Sequence, residues 1–333
     1  MSIKLPDATL RLLADVGGTN VRFVLDDGSG CLGEVSVLAT RDYPTLLGAI
    51  RHYLAGQGEA GRRVRSGAIG IANPVWGDEI RMTNHDWGFS IKAMRAELGW
   101  DSFQVFNDFV ALAHALPGLT DQDLLQVGGQ QREAGAPRVL LGPGTGLGVG
   151  SLIDAREGPV AVAGEGGHVS FAPTTQEEVR LWAFMVSRFP HVSCERLLCG
   201  SGLSYIHAFL SGQPQASTLS PADLLDPQDI TTAALAGSDR VCCQTVDLFC
   251  GLLGSAAGNM ALALGARGGI YIGGGIIPRL GERFVTSPFR ARLESKGRMS
   301  AYLQGIPAYV ILSPYAALTG LSAAHARVSA QSG

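Results

Sequence analysis

Short apolar runs open the chain at 10–15, 21–25 and 34–38, each bounded by turn residues and too short for a helix. They predict three strands, with Asp27-Gly28 as the turn between the second and third. The period then changes. Leu46, Leu47, Ile50 and Leu54 recur at helical spacing. A strand at 68–72 ends at Asn73-Pro74, a helix covers about 91–98, and a strand at 103–106 runs into Asn107-Asp108. A further helix starts at Phe109 and stops at Leu116-Pro117-Gly118, so the first part of the chain reads β-β-β-α-β-α-β-α. The rest restarts with two apolar strands around 139–150. Helices at about 177–189 and 239–264 follow, then a strand at 270–272, a last strand at 308–312 and a closing helix at about 315–326. The polar, Pro-containing stretch 211–227 reads as a surface loop.

One pattern occurs twice. Leu12 to Leu25 and Val139 to Gly150 each read apolar strand, Gly- and Thr-containing turn, second apolar strand. A hairpin tip of Gly and Thr exposes backbone N–H groups and a hydroxyl with no bulk in the way, which suits phosphate oxygens. Neither copy has the G-x-x-x-x-G-K-[ST] spacing of a P-loop, and neither enters a helix as a G-x-G-x-x-G turn does. Two tips, one in each half, suggest two lobes that grip one polyphosphate.

Composition narrows the partners. Lys and Arg number 26 against 29 Asp and Glu, a net charge of −3 with no basic run, which argues against nucleic acid. The N-terminal residues lack an apolar signal core, so a cytoplasmic protein is expected. The apolar stretch 246–264 carries Asp247, Ser255 and Asn259. Its helical stripe of Cys242, Val246, Phe249, Leu253, Ala256, Met260 and Leu264 reads as a buried helix rather than a membrane span. The six cysteines (Cys31, Cys194, Cys199, Cys242, Cys243, Cys250) form no CxxC pair and no zinc spacing, and read as reduced thiols.

Six places are candidates for chemistry. Asp15 ends the first strand at the mouth of the first tip, where a carboxylate can help hold Mg²⁺ through water. Thr19 and the amides of Gly17 and Gly18 face phosphate in that reading; a tight hairpin with an Asp at its mouth is the alternative. Asp108 follows a strand end and is a candidate base for a substrate hydroxyl, with Asn107 holding the substrate. The same Asn-Asp spacing suits a helix N-cap, and the two roles are compatible. Glu165 and His168 flank a glycine pair on a loop, an acceptor and donor set that suits a polyol, although a loop ion pair has the same spacing. Ser193 with Glu195 reads, on its own, as a helix cap with a dipole-favoured acid. Gly273, Gly274 and Gly275 end an apolar strand and let a ribose or flat ring approach, or simply make a turn. Asn84-His85-Asp86-Trp87 is a polar tip with an aromatic and no firm role.

Taken in order, ADVGGTN, MTNHDW, FNDF, GPGTGLG, GEGGHVSFAP, HVSCERLLCG and IGGGIIPR resemble the bacterial glucokinase family of the hexokinase/actin-like superfamily, over almost the whole chain. The resemblance implies an α/β, two-lobed actin-like/RNase H-like ATPase fold with a ligand cleft between the lobes. Residues 1–118 with about 309–333 form the small lobe, and 119–308 the large one. It implies ATP-dependent phosphorylation of glucose with Asp108 as catalytic base, and Asn107, Asp108, Glu165, His168 and Glu195 as sugar ligands. The nucleotide residues it implies are Ala14, Asp15, Val16, Gly17, Gly18, Thr19 and Asn20 in the first motif. Gly144, Thr145 and Gly146 form the second, and Gly273, Gly274 and Gly275 the adenosine motif. Mg²⁺ falls near Asp15. The family also implies a homodimer, with no nucleic-acid or membrane partner and closure on glucose. The zinc-binding cysteine run of the repressor/sugar-kinase relatives is missing, so His168 reads as a sugar ligand. Pro143 departs from the phosphate turn by removing one N–H donor. A kinase for another hexose, or a non-catalytic actin-like ATP or sugar binder, is the competing expectation.

Overall fold

The structure, a computed structural model, describes residues 10–29, 32–82 and 85–331. Cys31 and Asn84, both singled out above, lie outside them. Along the chain run β1 (Arg11–Val16), β2 (Asn20–Asp26), β3 (Ser36–Ala39), α1 (Leu46–Gly56), α2 (Gly58–Arg63), β4 (Ser66–Ile71), β5 (Glu79–Arg81), β6 (Gly88–Ser90), α3 (Ile91–Leu98), β7 (Ser102–Asn107) and α4 (Asp108–Ala115). Then come β8 (Leu124–Gln126), β9 (Arg138–Pro143), β10 (Leu147–Ala155), β11 (Gly158–Gly164), α5 (Gln176–Val186), α6 (Gly200–Leu210), α7 (Pro227–Ala236) and α8 (Arg240–Leu264). The chain closes with β12 (Ile270–Ile272), four short helices α9 (Ile277–Leu280), α10 (Glu282–Val285), α11 (Phe289–Glu294) and α12 (Ser300–Gly305), β13 (Ala308–Ile311) and α13 (Ala316–Gln331).

The chain divides into two compact units. One is built from the described residues of Met1–Leu119 and Ser313–Gly333, the other from Thr120–Leu312. The return to the first unit falls at Ser313 rather than near 309, because β13 pairs with β12 and β8 inside the second unit's sheet.

The first unit's sheet has the order β3-β2-β1-β4-β7, and the second's β11-β10-β9-β12-β13-β8. In each, the leading strand (β1 or β9) pairs antiparallel with the next strand and parallel with the one on its other side (β4 or β12). The duplicated sequence pattern therefore occupies the same place in both sheets. Each Gly-Thr tip is a hairpin turn next to a parallel strand, where α/β sheets present their ligand-binding ends.

The first unit's core is made of Leu12, Phe23, Ile50, Ile69 and Trp87, among others. Helix α13 packs on α4 so closely that a Cβ on Gly320 would lie 1.8 Å from the Ala111 carbonyl oxygen. The same helix is tied to the opening hairpin. Ser322 Oγ donates to buried Asp26 at 2.8 Å, and Arg11 Nε pairs with that carboxylate at 2.6 Å. In the second unit, α8 is long and apolar enough to cross a membrane, but Val246, Phe249 and Leu253 on its stripe are buried in the core. The helix serves as a core element.

Two expectations change. Ser193 does not cap a helix: its Oγ accepts from Arg196 N in a turn, and the next helix, α6, is capped by Cys199, whose Sγ accepts from Gly202 N. The stretch 211–227 is not wholly a surface loop, since Ala216 and Leu219 are buried. Helix α6 itself carried little periodic signal. It is Gly- and Ser-rich and buried along most of its length, so no polar face marks it.

Candidate active site

The first tip is braced from behind. Gly17 N donates to Asn20 O at 3.0 Å, closing the turn. Thr40 holds its outer edge, with Oγ1 on Gly18 O at 2.8 Å and N on Thr19 O at 3.0 Å. Their carbonyls are engaged, the N–H groups of Gly18 and Thr19 have no partner among the described residues, and Thr19 is exposed. Ala14 and Val16 are buried core residues of β1, so their contribution is to fix the strand rather than to touch a ligand by side chain. Asp15 faces Arg22 across the hairpin, in register, with Nη1 to Oδ2 at 2.9 Å. Burial pushes its carboxyl above the usual 3.8, while the charge and hydrogen bond of Arg22 pull the other way.

Asn107 and Asp108 stand where β7 gives way to α4. Asn107 is the N-cap: Oδ1 accepts from Phe109 N at 2.9 Å and Val110 N at 3.2 Å, and Nδ2 donates to Asn73 O at 3.2 Å. One amide hydrogen on Nδ2 is left for a ligand. Asp108 opens the first turn, with Oδ1 accepting from Phe109 N at 2.9 Å, where the helix dipole favours a carboxylate. The cap reading is thus observed, and it orients Asp108.

In the second unit, the tip at Gly144, Thr145 and Gly146 closes through Gly144 N to Gly146 O at 2.8 Å. Thr145 is exposed, and the amides of Thr145 and Gly146 have no partner among the described residues. The donor lost at Pro143 is no handicap there, because Pro143 belongs to β9 and the tip amides lie beyond it. Gly273 N donates to Leu141 O at 2.8 Å, placing the glycine run beside this tip. Gly274 has φ +78, and a Cβ there would lie 2.4 Å from Pro143 O. Nothing lies within 4 Å of the Cβ position of Gly275, which leaves room for a flat group.

Two loops zip together beside the same tip. Glu195 N donates to Gly167 O at 2.8 Å and Cys194 N to Val169 O at 2.9 Å. Gly167 must be glycine, since a Cβ would strike the Leu147 carbonyl oxygen at 2.1 Å. The zipper brings His168 Nε2 to 3.9 Å from Glu165 Oε2 and 4.0 Å from Glu195 Oε1. Glu165 and His168 are exposed, whereas the Glu195 side chain is only 28% exposed and is held by Leu147 N on Oε2 at 2.9 Å. An acceptor, a donor and an acceptor converge, as alternating hydroxyls of a polyol require.

The structure thus gathers Glu165, His168 and Glu195, with Gly144, Thr145, Gly146 and the residue 273–275 turn, in one unit. Asp15 to Asn20, Asn107 and Asp108 lie in the other. Sequence reading missed Arg22, Thr40, Asn73 and Leu147. Arg22 was open to inference, because a tight hairpin places it opposite Asp15. The other three act through backbone atoms or across long separations and leave no local signal.

The residues fit a nucleotide and its cation. In the first unit the tip offers unpartnered amides and the Thr19 hydroxyl for phosphate oxygens, and Asp15 an oxygen donor of the kind Mg²⁺ prefers; in the second unit the other tip offers amides and the Thr145 hydroxyl, and Gly275 leaves room for a flat group.

A sequence profile of the glucokinase family matches residues 12–328. The glucokinase of Ralstonia nicotianae is 54% identical over 94% of this chain and 94% of its own length. That of Chromobacterium violaceum is 52% identical over 97% and 91%. A crystal structure of a glucokinase from an Antarctic psychrotroph superposes with a TM-score of 0.82 at 31% identity, covering 95% of this chain and 98% of that one.

Proposed function

The chain belongs to the glucokinase family, and on that premise we propose that it moves the terminal phosphoryl group of ATP to the 6-hydroxyl of glucose with Asp108 as general base. The observation that carries the reading is the converged set of Glu165, His168 and Glu195, fastened to the second Gly-Thr tip through Leu147 N. It joins the residues read as polyol ligands to those read as phosphate ligands through one hydrogen bond, Leu147 N to Glu195 Oε2.

Glu165, His168 and Glu195 bind ring hydroxyls, and Asn107 adds its remaining amide hydrogen. Asp108, oriented by its bond to Phe109 N, accepts the 6-hydroxyl proton as that oxygen attacks the γ-phosphorus. The bond from the γ-phosphorus to the β–γ bridging oxygen breaks, and ADP leaves with the electron pair. The tip amides of Gly18, Thr19, Thr145 and Gly146 lower the energy of charge spread over the phosphoryl oxygens. When bound at Asp15, Mg²⁺ supplies further charge neutralisation on the phosphates.

The test is a coupled assay for glucose 6-phosphate with ATP, Mg²⁺ and glucose, run beside Asp108→Ala. The expected result is product from the unmodified chain and a loss of roughly 10²- to 10⁴-fold in turnover in the variant. Near-normal turnover in Asp108→Ala would remove the base assignment. Sugar-stimulated ATP use only with another hexose would keep the mechanism and change the substrate. ATP turnover with no sugar dependence would replace the reading with a nucleotide-binding protein.

A further inference from the structure

Away from the sugar and phosphate residues, the second unit brings His207, Asp239 and Cys242 together. Asp239 and Cys242 are three residues apart, and His207 joins them from a different helix. His207 stands in the last turn of α6, Asp239 is the N-cap of α8, and Cys242 is buried in the first turn of α8. A ring nitrogen, a carboxylate oxygen and the thiol sulfur all lie within 4.8 Å of one another. The cap fixes two of the three, because Asp239 Oδ1 accepts from Cys242 N at 2.8 Å.

We propose that His207, Asp239 and Cys242 form a binding site for a zinc-class divalent cation, with solvent in the fourth position. One nitrogen, one sulfur and one oxygen donor is a set that Zn²⁺ accepts. Mg²⁺ prefers oxygen throughout, so the site is chemically separate from the nucleotide's cation. Tetrahedral bonds of about 2.0–2.3 Å hold donor atoms roughly 3.5 Å apart, so the trio, now within 4.8 Å, must draw in by about an ångström on binding. Charge balance is favourable: a carboxylate and a thiolate offset two positive charges, and the imidazole binds neutral. Exposed Asp239 marks the entry side, and buried Cys242 the dry side.

On coordination the Cys242 thiol gives its proton to solvent as the sulfur–metal bond forms. The neighbouring Cys243 is not a ligand. Its Sγ is directed to Ala234 O in α7 at 3.6 Å. The site ties the end of α6 to the start of α8. At the other end of α6, Gly200 N donates to Gly144 O at 2.9 Å, on the second phosphate tip.

The experiment is a Co²⁺ titration of the full, metal-stripped chain, followed by Zn²⁺ displacement. The expected result is one Co²⁺ per chain with thiolate-to-cobalt charge-transfer absorption in the near ultraviolet, bleached by one equivalent of Zn²⁺. Cys243→Ser should keep the band and Cys242→Ser should lose it. His207→Gln should weaken Co²⁺ binding by more than the roughly 10- to 100-fold that loss of an outer-shell partner costs a metal site. Absence of the band in the unmodified chain, or its persistence in Cys242→Ser, overturns the proposal. If Cys242→Ser does not fold, His207→Gln decides: unchanged Co²⁺ affinity there overturns it as well.

Discussion

Glu195 Oε2 accepts the backbone N–H of Leu147 at 2.9 Å, so a carboxylate of the proposed sugar set is fastened to the residue that follows the second Gly-Thr tip. Gly146 makes this possible: a Cβ there would lie 2.5 Å from the same oxygen. The proposed sugar and phosphate residues of the second unit are therefore joined through one hydrogen bond and one missing methyl group.

Gly146→Ala should separate these roles. The clashing atom is the far end of a flexible side chain, so the chain should fold while Glu195 is displaced from Leu147. Loss of a hydrogen bond to a charged group costs about 1.5–3 kcal/mol, or roughly 10- to 100-fold in glucose KM. Steady-state kinetics against glucose check this, with thermal melting as the folding control. An unchanged glucose KM would mean that the Leu147 contact does not position Glu195.

The cap at α4 should part from the base in a pair of variants. Asn107→Ala removes the Oδ1 acceptor for Phe109 N and Val110 N and should cost about 0.5–2 kcal/mol of stability. Asp108→Asn keeps an oxygen for Phe109 N and should leave stability within about 0.5 kcal/mol while turnover collapses. Denaturant unfolding measured beside the coupled assay distinguishes the two.

The C-terminal helix should be intolerant at one glycine. In Gly320→Ala the new methyl meets the Ala111 carbonyl oxygen at 1.8 Å, and that atom is backbone that cannot rotate away. Helix α13 must shift off α4, which should cost about 3 kcal/mol or more. Ser322→Ala should cost less, about 1–3 kcal/mol, by removing a donor to the buried Asp26 carboxylate. Melting temperatures should rank unmodified, Ser322→Ala, then Gly320→Ala.

Acid should weaken the first unit through two histidines. Burial, and then the charge of a nearby arginine (Arg327 for His114, Arg11 for His325), holds both below the usual 6.5. Each is neutral in the fold and binds its proton more readily once unfolded. Their contribution is complete above pH 6.5 and is lost as pH falls through 6.5 toward the lower folded values. Stability measured between pH 8 and pH 5 should fall on the acid side, with a shallower slope in His325→Gln. An identical slope in that variant would exclude His325 as a contributor.

Local patterns fixed much of this protein. Alternating apolar residues, Asp27-Gly28, Asn73-Pro74 and the two Gly-Thr tips marked the main strands and turns, because strand period and turn chemistry act over a few residues. The order of motifs marked the family, and Asn107-Asp108 carried the cap within its own spacing. Other features depended on tertiary structure: the pairing of β13 that moves the return to Ser313, the turn at Ser193, helix α6, the hold of Leu147 on Glu195, and the meeting of His207 with Asp239 and Cys242. Those contacts join residues far apart in the chain. Sheet order, and backbone approaches allowed by Gly146, Gly167 and Gly320, decide them, and neither is encoded in the period of any single segment.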